Sequence, residues 1–216
     1  MGARTGAEYI AGLKDGRRIH VNGELVRDVT QYHGFKGVIG ELGRHYDRHH
    51  DAELSGRLTF ASPKDGLPVS NSFLAGMDRK LMEQRVAGDR LRAQYTYGLM
   101  GRLPDFMNAW VTDMAMVPHV LGAKDKKFAD NAAAYYEYCR DNDVCMTHTL
   151  ADPQIDRAKG PDAQLSVRIV KETSEGILVN GARMLSTLAP VSDEILLGPF
   201  MPRKAGEEAY SVAFAV

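Results

Sequence analysis

Near residue 144 the chain changes its pattern, and that change constrains the fold more than any single motif. Before it, apolar residues recur at three- and four-residue intervals: Phe35, Val38, Ile39, Leu42 and Tyr46 fall on one helical face. Further helices are predicted over 76–97, 104–121 and 125–140, with Pro118 kinking or shortening the second of these. After residue 144, short strand-like runs follow one another over 144–150, 165–172, 176–184, 195–200 and 210–216. They are separated by turns at Ser174-Glu-Gly176, Asn180-Gly181 and Arg203-Lys-Ala-Gly206. Helices first and strands second predict an α+β chain, with a mainly helical domain over 1–143 and a β domain over 144–216.

Local signals sharpen the first half. Thr5 and Glu8 have capping-box spacing and predict a helix that ends by Gly16. Asn22-Gly23, flanked by alternating runs, predicts a hairpin, and Leu58–Ser70 predicts a second short hairpin or an open loop. The run Arg44-His-Tyr-Asp-Arg-His-His-Asp51 invites a metal reading, since His45 and His49 sit four apart. It lacks the His-Glu-x-x-His arrangement and reads instead as a solvated charged face. Gly98 and Gly101 make no phosphate loop, because no strand leads into a Gly-x-Gly-x-x-Gly run.

Composition closes off several classes. With 44% hydrophobic residues, 25% charged residues and a formal net charge of -1, the chain carries no signature of a nucleic-acid or membrane-surface partner. No stretch approaches the ~20 apolar residues of a membrane span and no apolar signal core opens the sequence, which predicts a cytoplasmic protein. The two cysteines, Cys139 and Cys145, make neither a disulfide framework nor a zinc knuckle and read as buried thiols.

The chemistry concentrates in two segments: Cys145-Met-Thr-His-Thr-Leu-Ala-Asp-Pro-Gln-Ile-Asp-Arg157 and Val179-Asn-Gly-Ala-Arg-Met-Leu-Ser-Thr-Leu-Ala-Pro190. The first reads as a strand running into an Asp-Pro turn, the second as a hairpin turn at Asn180-Gly181 feeding a strand that ends at Ala189-Pro190. Both put compact polar side chains where a flat aromatic cofactor could lie.

Together with Arg4-Thr-Gly-Ala-Glu-Tyr9, Gly101-Arg-Leu-Pro-Asp105 and Ser186-Thr-Leu-Ala-Pro190 ahead of Asp193-Glu-Ile-Leu196, these segments make the chain resemble the 4-hydroxyphenylacetate 3-hydroxylase family. Members are oxygenase components that hydroxylate phenols with reduced flavin and O2 through a flavin C4a-hydroperoxide. The resemblance implies an acyl-CoA-dehydrogenase-like arrangement, in which the second domain is an antiparallel β-barrel-like body and a C-terminal helical bundle follows. Because Tyr210–Val216 stops inside an apolar run, the chain reads as an N-terminal portion, inactive by itself. The resemblance also implies FAD in reduced form rather than FMN, a separate flavin reductase as partner, a homodimer or homotetramer, and no resident metal.

It assigns roles residue by residue. Arg102, just ahead of a helix-starting Pro104, would stabilise a phenolate oxygen, and His148 would accept the phenol proton. Phe106 stands where the 4-hydroxyphenylacetate-specific members carry a tyrosine; a phenyl ring donates no hydrogen bond, so a different phenol is expected. Thr147, Thr149, Gln154, Arg157, Ser186 and Thr187 would line the flavin. Two rivals stay open. One is a lyase of the 4-hydroxybutyryl-CoA dehydratase type, whose first cysteine pair falls on Arg102 and Phe106 here. The other is a non-catalytic scaffold.

Overall fold

The computed structural model describes residues 2–98, 103–156, 158, 159, 161 and 165–216. They form two compact units, Met1–Cys145 and Met146–Val216.

The first unit is helical with two small hairpins. Helix α1 (Gly6–Gly12) is closed by the predicted capping box: Thr5 Oγ1 accepts from the Glu8 amide at 3.2 Å, and Glu8 accepts from the Thr5 amide at 2.7 Å. Strands β1 (Ile19–Val21) and β2 (Glu24–Val26) meet at Asn22-Gly23, whose φ values of 52° and 85° suit a tight primed turn. Helix α2 (Lys36–Asp47) runs into a 3-10 turn at Arg48–His50. It buries Ile39, Leu42 and Tyr46, while Phe35 and Val38 are half-buried. The short α3 (Ser55–Leu58) leads into a hairpin of β3 (Thr59–Ala61) and β4 (Pro68–Ser70).

Helix α4 (Arg79–Tyr95) starts three residues later than its sequence pattern suggests, because Asp78 caps it by accepting from the amides of Lys80 and Leu81. Helix α5 (Pro104–Ala115) has proline at its first position, as expected, and Pro118 opens a separate α6 (Pro118–Leu121) rather than kinking one long helix. Helix α7 (Lys126–Asn142) ends at Asp143 with φ 48°. Residues 2–6 thread back through this unit: Gly2 N–H donates to Asp141 O at 2.9 Å, Ala3 N–H to Pro68 O at 2.6 Å, and Gly6 N–H to Asp47 at 2.8 Å.

The expectation of a solvated face at 44–51 fails for two of its three histidines; His50 is exposed. His45 and His49 are 1% and 2% exposed. His45 Nδ1 lies 3.2 Å from Tyr95 Oη, and His49 lies 3.4 Å from the Asp143 carboxylate. Burial first, then the neighbouring His49, Arg92 and Arg48, hold the His45 imidazole well below its usual pKa, so it is neutral.

In the second unit the strands do not form an antiparallel barrel; no closed barrel is present among the described residues. Strand β5 (Met146–Thr149) pairs in parallel with β8 (Glu194–Leu197), and β9 (Phe214–Ala215) adds antiparallel to β8. Strands β6 (Arg168–Thr173) and β7 (Gly176–Asn180) form a hairpin that turns at Ser174-Glu175. Parallel pairing needs a long crossover, and the whole of 150–193 supplies it.

Asn180-Gly181 is not a hairpin turn, and no strand reaches Ala189. A Cβ on Gly181, at φ 132°, would lie 2.5 Å from Ser166 O, so this glycine permits backbone-to-backbone approach instead. Leu185 and Leu188 adopt left-handed φ of 64° and 68°, which breaks any strand across 182–188; Ala189–Val191 follows as a 3-10 turn.

Candidate functional site

In the helical unit, the face of α4 bearing Asp89 and Arg92, Thr96 just after that helix, and the face of α5 bearing Asp105, Phe106 and Trp110 line a hollow of about 540 Å³. Helix α5 begins at Pro104 with no side-chain cap at Leu103. Arg92 is its organising group although it is 1% exposed. Its Nη2 donates to Asn71 Oδ1 at 2.7 Å, Ser70 Oγ at 3.0 Å and Leu58 O at 3.4 Å, and its Nη1 pairs with Asp89 at 3.1 Å.

Asn71 is pinned in turn, its Nδ2 donating to Arg57 O at 2.8 Å and Gln84 O at 3.2 Å. Burial raises the Asp105 carboxyl above its usual pKa; Arg92 opposes this and Asp89 reinforces it. One Asp105 oxygen has no hydrogen-bond partner among the described residues. Tyr95, under the Arg48 guanidinium at 3.7 Å, is pushed by burial to a pKa of about 12 and stays a neutral phenol. Phe106 is 43% exposed on the hollow's rim. Arg102 lies outside the described residues.

In the second unit the two segments singled out from the sequence are joined. The Thr147 hydroxyl donates to Thr187 O, and the Thr149 hydroxyl donates to Met184 O at 3.0 Å. Both threonines are buried on one face of β5, and strand alternation puts His148, half-buried, on the other with Met146. Their hydroxyl protons are thus committed to the chain, leaving oxygen lone pairs as acceptors. Ser186 sits between the two left-handed leucines, half-buried, and its Oγ has no hydrogen-bond partner among the described residues. Thr187 is exposed, as is Gln154 beyond the Asp152-Pro153 turn. Arg157 lies outside the described residues.

Several polar residues were not singled out from the sequence. Arg92 and Asp105 belong to the hollow, and Asp152 is clamped between Arg183 and, at 2.8 Å, Arg203. Only the Asp89-x-x-Arg92 spacing hinted at any of these.

A family model for the 4-hydroxyphenylacetate 3-hydroxylase N-terminal region matches residues 5–216. The chain belongs to the 4-hydroxyphenylacetate 3-hydroxylase family. The oxygenase component of 4-hydroxyphenylacetate 3-monooxygenase from Geobacillus sp. (strain PA-9) is 36% identical over 223 residues, which cover 100% of this chain and 45% of that protein. Its counterpart from Thermus thermophilus is 38% identical over 219 residues, 99% of this chain and 44% of the relative. A crystal structure of such an oxygenase component, complexed with FAD and 4-hydroxyphenylacetate, superposes with a TM-score of 0.90 at 38% identity, covering 99% of this chain and 44% of that one.

The chain therefore spans less than half the length of these family members. An archaeal 4-hydroxybutyryl-CoA dehydratase superposes with a TM-score of 0.80 at 20% identity over 99% of this chain and 43% of its own, which shows a shared fold alone. In this chain Cys139 and Cys145 are buried thiols. No group of three His, Cys, Asp or Glu residues that could hold a metal ion occurs among the described residues. No helix among the described residues is long and apolar enough to cross a membrane.

Proposed function

We propose that the chain supplies flavin- and phenol-binding surfaces to the oxygenase component of a two-component phenol monooxygenase, working with reduced FAD, O2 and a separate flavin reductase. The observation that carries this reading is the hydroxyl-to-carbonyl tie between β5 and the 184–187 segment, in a chain that matches this family from residue 5 to 216.

The residues present fit a flavin. Thr147 and Thr149 fix the spacing of two polar segments while keeping acceptor lone pairs, and the Ser186 Oγ, with no hydrogen-bond partner among the described residues, matches a ring carbonyl or nitrogen. Gln154 offers both a donor and an acceptor, and Arg157 a cation. Reduced FAD, when bound, supplies with O2 the oxygen atom that enters the phenol.

The chain's own contribution is to the phenol. Arg102 holds the developing phenolate oxygen, and His148 Nε2 or Nδ1 takes the phenol proton. Phe106 presents an apolar rim where a tyrosine would donate a hydrogen bond, which favours a phenol other than 4-hydroxyphenylacetate. Assembly as a homodimer or homotetramer completes the proposal.

The test supplies a full-length oxygenase component carrying this chain with a flavin reductase and compares oxygen and reduced FAD consumed with catechol formed from a panel of para-substituted phenols. Product formation in proportion to oxygen uptake is expected. Reduced flavin oxidising at the same rate with and without the protein, with no hydroxylated product, would refute it. Iron and acid-labile sulfide in the purified protein would point to the lyase instead.

A further inference from the structure

Two buried guanidiniums in the second unit share one carboxylate. Arg183 is 2% exposed at its side chain and Arg203 10%, and they take the two oxygens of Asp152. Arg183 Nη1 also reaches Leu150 O at 3.4 Å. Arginine has five N–H donors and is always charged, so two cations against one anion leave an excess positive charge and surplus donors. Arg183 Nε and Nη2 and Arg203 Nε have no hydrogen-bond partner among the described residues. An excess buried charge with idle donors is costly unless an anion neutralises it.

We propose that Arg183 and Arg203 form a subsite for a phosphate-class oxyanion, either the diphosphate of a bound dinucleotide or free phosphate. Two guanidiniums against one carboxylate leave charge that a phosphate-class oxyanion can offset. The Nε and Nη2 edge of Arg183 is a two-pronged fork of the kind that binds paired oxyanion oxygens, and Arg203 Nε is a further donor without a partner among the described residues. Arg203 also lies 6.0 Å from the Tyr210 ring centroid. Arg203 is carried by the loop after β8, where Phe200 and Met201 are 71% and 63% exposed, so one wall of the cluster is a surface segment. The dinucleotide source rests on the flavin reading above; the phosphate source does not.

Calorimetric titrations of the intact chain with sodium phosphate, sodium pyrophosphate, FAD and riboflavin, at ionic strength fixed with chloride, test this. Saturable pyrophosphate or phosphate binding is expected. Arg203→Gln should weaken it about 10- to 100-fold, the range for losing a hydrogen bond to a charged group. Asp152→Asn, which frees more of both guanidiniums, should tighten it and serves where Arg203→Gln fails to fold. If Arg203→Gln weakens FAD but not riboflavin, the oxyanion is the cofactor's diphosphate. If FAD binding is unmoved while phosphate binding falls, it is free phosphate. Phosphate bound with neither flavin bound would leave the subsite standing as a free-phosphate site. No saturable binding of phosphate, pyrophosphate or FAD, or affinities unchanged in both variants, would overturn the proposal and make the cluster an internal ion triad.

Discussion

Gly88→Ala in α4 should destabilise the helical unit, reversing the usual sign. Alanine in place of a mid-helix glycine ordinarily stabilises by about 1 kcal/mol. Here the added Cβ would lie 2.4 Å from Asn71 Nδ2 and 2.6 Å from Asn71 Oδ1, a separation that real Cβ atoms do not show. Asn71 cannot swing away cheaply, because its amide holds two backbone carbonyls and its oxygen receives the buried Arg92. Losing the bond from the charged Arg92 costs about 1.5–3 kcal/mol and losing one backbone contact about 1 kcal/mol more. Set against the helix gain, the net loss is about 1.5–3 kcal/mol.

Urea unfolding followed by fluorescence reads this directly, because the chain's single tryptophan, Trp110, lines the hollow beside Arg92. The midpoint should fall by roughly 0.5–3 M, given slopes of about 1–3 kcal/mol/M for small proteins. In an Asn71→Ala background the same Gly88→Ala change should turn stabilising by about 1 kcal/mol, since the obstacle is gone. A Gly88→Ala protein as stable as its parent, or one equally affected in both backgrounds, would refute the Asn71 mechanism.

Replacing His148 with alanine should uncouple the proposed reaction, so that reduced FAD and O2 are consumed with hydrogen peroxide as the main product; unchanged coupling efficiency would remove its role as base. Arg102→Ala should cost about 2.7–4 kcal/mol of transition-state energy with a smaller change in flavin affinity, and normal hydroxylation in rapid mixing would dismiss it. Because burial depresses the His45 pKa, its contribution is full above the unfolded value of about 6.5 and is lost as pH falls below it, with a slope of at most about 1.4 kcal/mol per pH unit. His45→Gln should flatten that acid limb in pH-dependent denaturation, and an unaltered limb would assign it to other groups.

Much of the first unit was legible because its signals are local. The Thr5–Glu8 box, the Asn22-Gly23 turn and the start of α5 at Pro104 each depend on residues within four positions. Arg92 was not legible. It stands among many charges on α4, and what turns it inward is Asn71 and Ser70, about twenty residues away in a 3-10 turn. The same holds for His45 and His49, whose partners are Tyr95 on α4 and Asp143, the left-handed residue that closes α7. In the second unit, apolar runs marked where strands lie but not their partners, so the parallel pairing of β5 with β8 and the left-handed Leu185 and Leu188 went unread. The segments around Thr147 and Ser186 were named from the sequence as a pair. Their hydroxyl-to-carbonyl linkage, and the sharing of Asp152 by Arg183 and Arg203, depend on a crossover path that no periodicity encodes.

The threading of residues 2–6 through the helical unit bears on how the polypeptide acquires its shape as it is made. Gly2 and Arg4 hydrogen-bond to Asp141 and Asp143, so residues nearly 140 positions apart complete the same unit. At about 5–20 residues per second, Asp141 and Asp143 leave the ribosome on the order of 10 s after Gly2. Throughout that interval α1 and α2 can pair locally, but the cleft that receives residues 2–4 has no far wall. The helical unit should therefore lock late and in one step, and nascent chains halted before residue 141 should remain sensitive to protease where chains halted well beyond it are not.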